Sequence, residues 1–230
     1  MVHSDDMGLV LPPKVAQVQV VIIAIEKVGD ESTDIMKCCN DMFYELKKAG
    51  VRVEFDDREI HKSGWKFNHW EQRGVPIRLE VGRKDLEANE VRCAKRHDGV
   101  KMQLKREGIA EYCKDLLETI HKEMYEKALS SRLDHTKDVD NWKDFMEALS
   151  QRNLCKAAWC NVQQCEKDVK ERSKEESTKA MEEGDADEAA LTGAAKTLCI
   201  PHEQTPIKDG EMCFACGKPA TTRALWGRSY

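Results

Sequence analysis

Four of the ten cysteines fall into two close pairs, Cys160-x4-Cys165 and Cys213-x2-Cys216. Two short-spaced pairs of soft sulfur ligands, joined by folding, suit a tetrahedral Zn²⁺. Gly217 follows directly and permits a tight knuckle in which backbone N–H groups face the sulfurs. Four thiolates would leave no open position, so such a zinc would be structural and not catalytic. Buried apolar packing or a disulfide are the alternative readings of the same residues. The other cysteines, Cys38, Cys39, Cys93, Cys113, Cys155 and Cys199, lie on apolar helix faces or beside strands and are expected in the core.

A second stretch with chemical content is GWKFNHWEQRGVPIRLEVG, residues 64–82. Gly64 is expected to open a loop. Trp65, Phe67 and Trp70 bring three aromatic rings onto a short helix, which Gly74 and Pro76 end. Ile77, Leu79 and Val81 then alternate with Arg78 and Glu80, the period of a strand. Arg78 and Glu80 share one face and form, with the aromatic helix, an expected polar reading surface. The simpler reading is that the rings pack the helix on the sheet and that Arg78 and Glu80 are an edge ion pair.

These residues need elements to hold them. Val15 to Ile25 reads as a buried strand and Glu26 to Asp30 as a loop, and Ser32 is a plausible N-cap for a helix to Ala49. Ile35, Cys38, Cys39, Met42, Phe43 and Leu46 make that helix's inner face. Val51 to Phe55 is a second strand. The pattern β-α-β-α-β predicts parallel strands. Residues 90–96 and 100–106 flank Asp98-Gly99 and add an antiparallel pair. A long helix from Gly108 to about Ser131 carries Ile109, Tyr112, Leu116, Ile120 and Met124 as its stripe. The first domain is thus an α/β fold with a mixed five-stranded sheet and flanking helices. Beyond it, Val139 to Gln151 is expected as a helix, Leu154 to Trp159 as a strand, Cys165 to Met181 as a charged helix, and residues 182–195 as an acidic linker. Order resumes at Leu198 to Pro201, and the chain ends in a knuckle and a last strand. This part is a smaller α+β domain.

The chain has 230 residues, of which 34% are charged, with mean hydropathy −0.65. No apolar run approaches the roughly 20 residues that cross a bilayer. Met1 to Gly8 is polar and lacks the pattern of a secretion signal, so the cytosol and reduced thiols are the expectation. Net charge is −5, yet it is uneven. Residues 51–106 hold 14 Lys and Arg against 10 Asp and Glu, the sign needed near phosphate. No Gly-rich phosphate loop and no nucleophile–histidine constellation stands out, and His69 and His97 look like surface residues.

The 64–82 stretch resembles the signature of the anticodon-binding domain of prolyl-tRNA synthetases of the eukaryotic and archaeal branch. MVHSDDMGLVLPPKVAQVQVVII at the start resembles the segment that leaves the last class II catalytic motif. ALWGRSY resembles the family's chain end. The resemblance implies a tail of a catalytic domain in 1–14, an anticodon-binding domain in 15–131 and a zinc-binding domain in 132–230. It implies proline tRNA as partner, with guanine of the anticodon met by Glu80 and by Arg78 or Lys66, and stacked on Phe67, Trp65 or Trp70. Glu71, Arg58 and Asp57 are second-rank contacts. It also implies a closed zinc at Cys160, Cys165, Cys213 and Cys216, although the family's second pair can be spaced by one residue, not two. Tyr230 would dock back toward the catalytic domain. ATP would be bound upstream, in a parent ligase that dimerises through its catalytic domain, while this part alone would be inactive. A stand-alone tRNA-binding module and a zinc-stabilised interaction domain are the competing readings.

Overall fold

The apolar run Val20–Ile25 forms a strand buried on both sides, which explains why it reads as continuous rather than alternating. A computed structural model describes residues 3–25, 33–182 and 193–228. The expected loop at Glu26 to Asp30, the Ser32 cap, most of the acidic segment and Tyr230 lie outside the described residues. The chain divides into two units, Met1–Ala128 and Leu129–Tyr230.

Unit 1 begins with a hairpin, β1 (Ser4–Asp5) and β2 (Gly8–Leu9). There follow β3 (Val20–Ile25), α1 (Thr33–Lys48), β4 (Val53–Asp56), α2 (Ser63–Gln72), β5 (Ile77–Gly82), α3 (Arg83–Glu87), β6 (Glu90–Lys95), β7 (Lys101–Lys105) and α4 (Ile109–Asp134). The sheet order is β4-β3-β5-β6-β7, with β3 parallel to β4 and β5, and β6 antiparallel to β5 and β7. The expected mixed five-stranded sheet is therefore present. Ile35, Cys39, Met42 and Leu46 of α1 and Ile109, Cys113, Leu116 and Ile120 of α4 pack with Val20, Ile22, Ile77 and Leu79. On the opposite face Val21 and Ile23 meet Trp70 and Val75, with Phe67 against them. So α2 alone covers that face, over β3 and β5.

Several expectations need correction. Gly64 lies within the first turn of α2 and opens no loop. The buried stripe of α4 runs through Cys113 and Leu117, and Tyr112 is exposed, because the helix turns that position away from the sheet. Val139 ends a strand and starts no helix. Cys199 is exposed, being on an edge strand. His97 is mostly covered, held by Glu123 at 2.7 Å.

Unit 2 contains β8 (Thr136–Val139), α5 (Trp142–Ser150), β9 (Leu154–Trp159), α6 (Gln163–Glu182), β10 (Ala195–Cys199) and β11 (Thr222–Arg228). Asn141 caps α5 by accepting from the Asp144 N–H at 3.0 Å. The sheet runs β10-β11-β9-β8, parallel only between β8 and β9. Its core is aromatic: Phe145, Phe214, Trp159 and Trp226 touch edge-on or tilted.

Candidate nucleic-acid interface and metal centre

Strand register places the polar groups of unit 1. Ile23 pairs with Asp56 on one side and Glu80 on the other, and Val21 pairs with Arg78. Asp56, Glu80 and Arg78 therefore share the face that α2 covers. Glu80 is only 4% exposed, so the expected open surface is instead a covered one. Arg78 Nε donates to Glu80 Oε1 at 2.9 Å, and the guanidinium lies 4.4 Å from the Phe67 ring centroid. The pair sits on a central strand, not an edge.

Asp56 is the organising group, and it was not among the residues singled out from the sequence, where its neighbour Asp57 was. Asp57 is exposed. The Asp56 carboxylate accepts from Arg58 Nε at 2.8 Å, Arg58 Nη2 at 2.5 Å and Trp70 Nε1 at 2.7 Å. Lys66 Nζ stands 3.8 Å from Oδ1 and donates to the Asp56 carbonyl at 2.9 Å. Burial opposes ionisation, but the Arg58 fork, the Trp70 N–H and the Lys66 charge together bring this carboxyl down to about 2. The signal was available: the alternation of Val53-Glu54-Phe55-Asp56 puts a carboxylate on a face that must also hold Val21 and Ile23. Lys66, expected from the sequence as a contact to guanine, is buried and engaged by Asp56.

Gly74 makes the turn after α2 possible. With φ +71 it adopts the left-handed conformation, its N–H reaches Glu71 O at 3.0 Å, and Val75 N reaches Trp70 O at 3.3 Å. The β1–β2 hairpin lies against this end. Arg96 bridges the two, gripping Asp5 at 2.6 and 2.8 Å and the Glu71 carbonyl at 3.0 Å. Between α2 and the strands is a cleft of about 100 Å³, lined by Val21, Trp70, Glu71, Val75, Arg78, Ala94, Lys95, Arg96, Gly99 and Lys101. Three of its four cations are paired, Arg78 with Glu80, Arg96 with Asp5 and Lys95 with Asp98, and Lys101 has no ion-pair partner among the described residues. Arg78, Trp70 and Glu71 thus meet in one place, whereas Trp65 is elsewhere, 44% exposed and stacked between His61 and His69.

In unit 2 the four paired cysteines converge, with their sulfurs all within 4.8 Å of one another. Cys165 and Cys213 are 3.8 Å apart and Cys160 and Cys216 are 3.7 Å apart. A tetrahedron with Zn–S bonds of about 2.3 Å has sulfur edges of about 3.8 Å. A disulfide needs about 2.05 Å, and all ten cysteines are free. Burial pushes the Cys160 and Cys165 thiols up. At Cys213 burial is outweighed by backbone N–H groups of Ala215 and Cys216, which lower it, and Gly217 at φ +67 shapes that knuckle.

Two family models divide the chain between them. Residues 19–116 match the anticodon binding domain, and residues 142–230 match the C-terminal domain of prolyl-tRNA synthetase. The chain belongs to the prolyl-tRNA synthetase family. It is 43% identical over 230 residues to the cytoplasmic proline–tRNA ligase of Arabidopsis thaliana, covering all of this chain and 41% of that one. It is 40% identical over 234 residues to the proline–tRNA ligase of Encephalitozoon cuniculi, covering 100% of this chain and 45% of the relative. A crystal structure of prolyl-tRNA synthetase from Cryptosporidium parvum, complexed with halofuginone and AMPPNP, superposes with TM-score 0.89 at 38% identity, over 100% of this chain and 44% of that one. The chain spans less than half the length of these relatives, and it matches their C-terminal portion. This prolyl-tRNA synthetase region carries no described helix long and apolar enough to cross a membrane.

Proposed function

We propose that unit 1 binds the anticodon loop of proline tRNA and so selects the tRNA for a ligase that joins proline to it at the expense of ATP. Residues 1–14 lead in from a class II catalytic domain, 15–131 bind the anticodon, and 132–230 form a zinc-binding domain. The catalytic domain binds ATP and mediates a homodimer in the cytoplasm, and Tyr230 docks toward it. Glu80 and Arg78 read guanine, one accepting from its N–H groups and the other donating to its carbonyl oxygen. Phe67 and Trp70 supply ring surface, with Glu71 at the rim. Zinc is held by Cys160, Cys165, Cys213 and Cys216 and serves structure alone. Arg58 and the exposed Asp57 serve as outer contacts.

The observation that carries this reading is the polar cleft between α2 and the sheet, in which Arg78 is already oriented by Glu80 and Phe67. Preorientation lowers the cost of pairing with a base edge. Single-stranded RNA is read in just this way, by stacking and by hydrogen bonds to splayed base edges. Filter binding with proline tRNA and non-proline tRNAs tests it. Selective retention of proline tRNA is the expected result, and equal retention of all tRNAs would overturn it.

A further inference from the structure

The outer side of α2 carries an arrangement that the cleft does not use. His61, Trp65 and His69 recur every four residues, which places them on one side of a helical turn path. Their rings form a column. His61 and Trp65 lie 3.6 Å apart at 16°, and Trp65 and His69 lie 4.7 Å apart at 19°. Rings in such a column are spaced and tilted much as stacked bases are. His69 abuts Trp70 edge-on, 5.2 Å away at 87°, so the inner end is closed. The outer end is His61, which makes no hydrogen bond among the described residues and meets no second ring.

The column is preorganised. Arg58, fixed by the buried Asp56, sets its guanidinium 5.1 Å from the Trp65 ring centroid. Beside His61, Lys62 is exposed and has no ion-pair partner among the described residues. Ile60, on the other side, is 92% exposed. An ordered ring stack whose terminal ring is partly exposed and carries no second ring, with a flanking unpaired ammonium and a neighbouring exposed aliphatic group, fits a planar ligand that carries an anionic tether.

We infer that this column is a second contact for single-stranded RNA: an unpaired base flanking the anticodon stacks on the outer face of His61, and its phosphate meets Lys62. The inference rests on the proposed anticodon binding but uses different residues from the Arg78–Glu80 cleft. Stacking of this kind is tolerant of base identity, since every base has a π-face. The column therefore adds affinity and sets register, while the cleft supplies selectivity.

The test is binding of proline tRNA to the whole chain, with His61→Ala, His61→Phe and Glu80→Gln, and with tRNAs carrying one abasic site at each anticodon-loop position in turn. His61→Ala should weaken binding by about fivefold or more, and His61→Phe, which keeps a ring, should stay within about twofold of the parent. One abasic position should reproduce the loss and make His61→Ala silent. An effect of His61→Ala below about twofold overturns the inference, as does a loss that no abasic site silences or that Phe fails to restore. Each of these outcomes leaves proline tRNA binding by the parent chain, and the base preference lost in Glu80→Gln, as separate readouts of the cleft. A parent chain that binds no proline tRNA would overturn the anticodon reading and the column with it.

Discussion

Replacing Asp56 by Asn tests whether one buried carboxylate holds α2 to the sheet. Asn keeps the shape but removes the charge that Arg58 and Lys66 face, and it presents an amino group where an oxygen stood. The folded carboxyl ionises at about 2 against an ordinary 3.8. At 1.36 kcal/mol per pH unit, that gap corresponds to about 2.4 kcal/mol of stability at neutral pH. The Asn amino group also removes an acceptor, from Arg58 Nε if it stands at Oδ1 or from both Arg58 Nη2 and Trp70 Nε1 if it stands at Oδ2, adding about 1–3 kcal/mol. The expected total is about 3–5 kcal/mol, in the range found on breaking a buried pair. The pH dependence is specific. Because the folded value is depressed, the stabilisation is complete above 3.8 and disappears as pH falls through about 2. At pH 3 the parent has already lost about 1 kcal/mol of it, so the difference between parent and variant narrows by that much between pH 7 and pH 3. Amide hydrogen exchange across residues 53–82 of the intact chain, with urea melts at each pH, measures both quantities. A penalty below about 1 kcal/mol at pH 7, or one that does not change with pH, would refute the assigned role.

Other consequences follow from the same geometry. Lys66→Ala should destabilise unit 1 and leave the salt dependence of tRNA binding unchanged, since the ammonium is engaged by Asp56; a salt slope reduced by about one would show a phosphate contact instead. Gly8→Ala should lower thermal stability by about 1–3 kcal/mol, because a Cβ there would stand 2.6 Å from Gln72 Cα at φ +122; an unchanged melt would show that the β1–β2 hairpin is not docked on α2. The purified chain should carry about one zinc, lost in Cys213→Ser, and chelation should unfold residues 129–230 while unit 1 stays folded, because binding energy at a closed site is folding energy. Glu80→Gln should weaken proline tRNA binding by about 1–3 kcal/mol and flatten preference at one anticodon position, read from a series of anticodon variants; an unchanged preference would leave Glu80 as the ion-pair partner of Arg78 only.

Periodicity alone located most elements, because each depends on local pattern. The strand Leu154–Trp159, the inner face of α1 and the hairpin at Asp98-Gly99 follow from residue type and spacing. The cysteine spacing likewise pointed to a cluster that the fold assembles. What the pattern did not carry was the use of the second sheet face. Arg78 and Glu80 are charged, and charge on alternate positions reads as solvent exposure. Here a helix covers them, and the burial is tolerated because each finds a partner: Glu80 in Arg78, and Arg78 in both Glu80 and the Phe67 ring. Asp56 escaped notice for the same reason. Its partners lie 2, 10 and 14 residues downstream, so only the register of β3 with β4 reveals them.

That second face explains the division of labour in unit 1. The α1 and α4 side is an unbroken apolar core and offers nothing to a ligand. The α2 side is apolar only over β3, at Val21, Ile23, Trp70 and Val75. Farther along the same face, register places Arg92 opposite Glu80 and Lys101 opposite Ala94, and both side chains are exposed where α2 no longer reaches. A short helix lying over part of a sheet thus leaves a step, with oriented polar groups at its foot and rings on its upper side. A base entering from solvent would meet the step edge first and Arg78 second. The helix stops where Gly74 allows it to, and that stop keeps the cleft open.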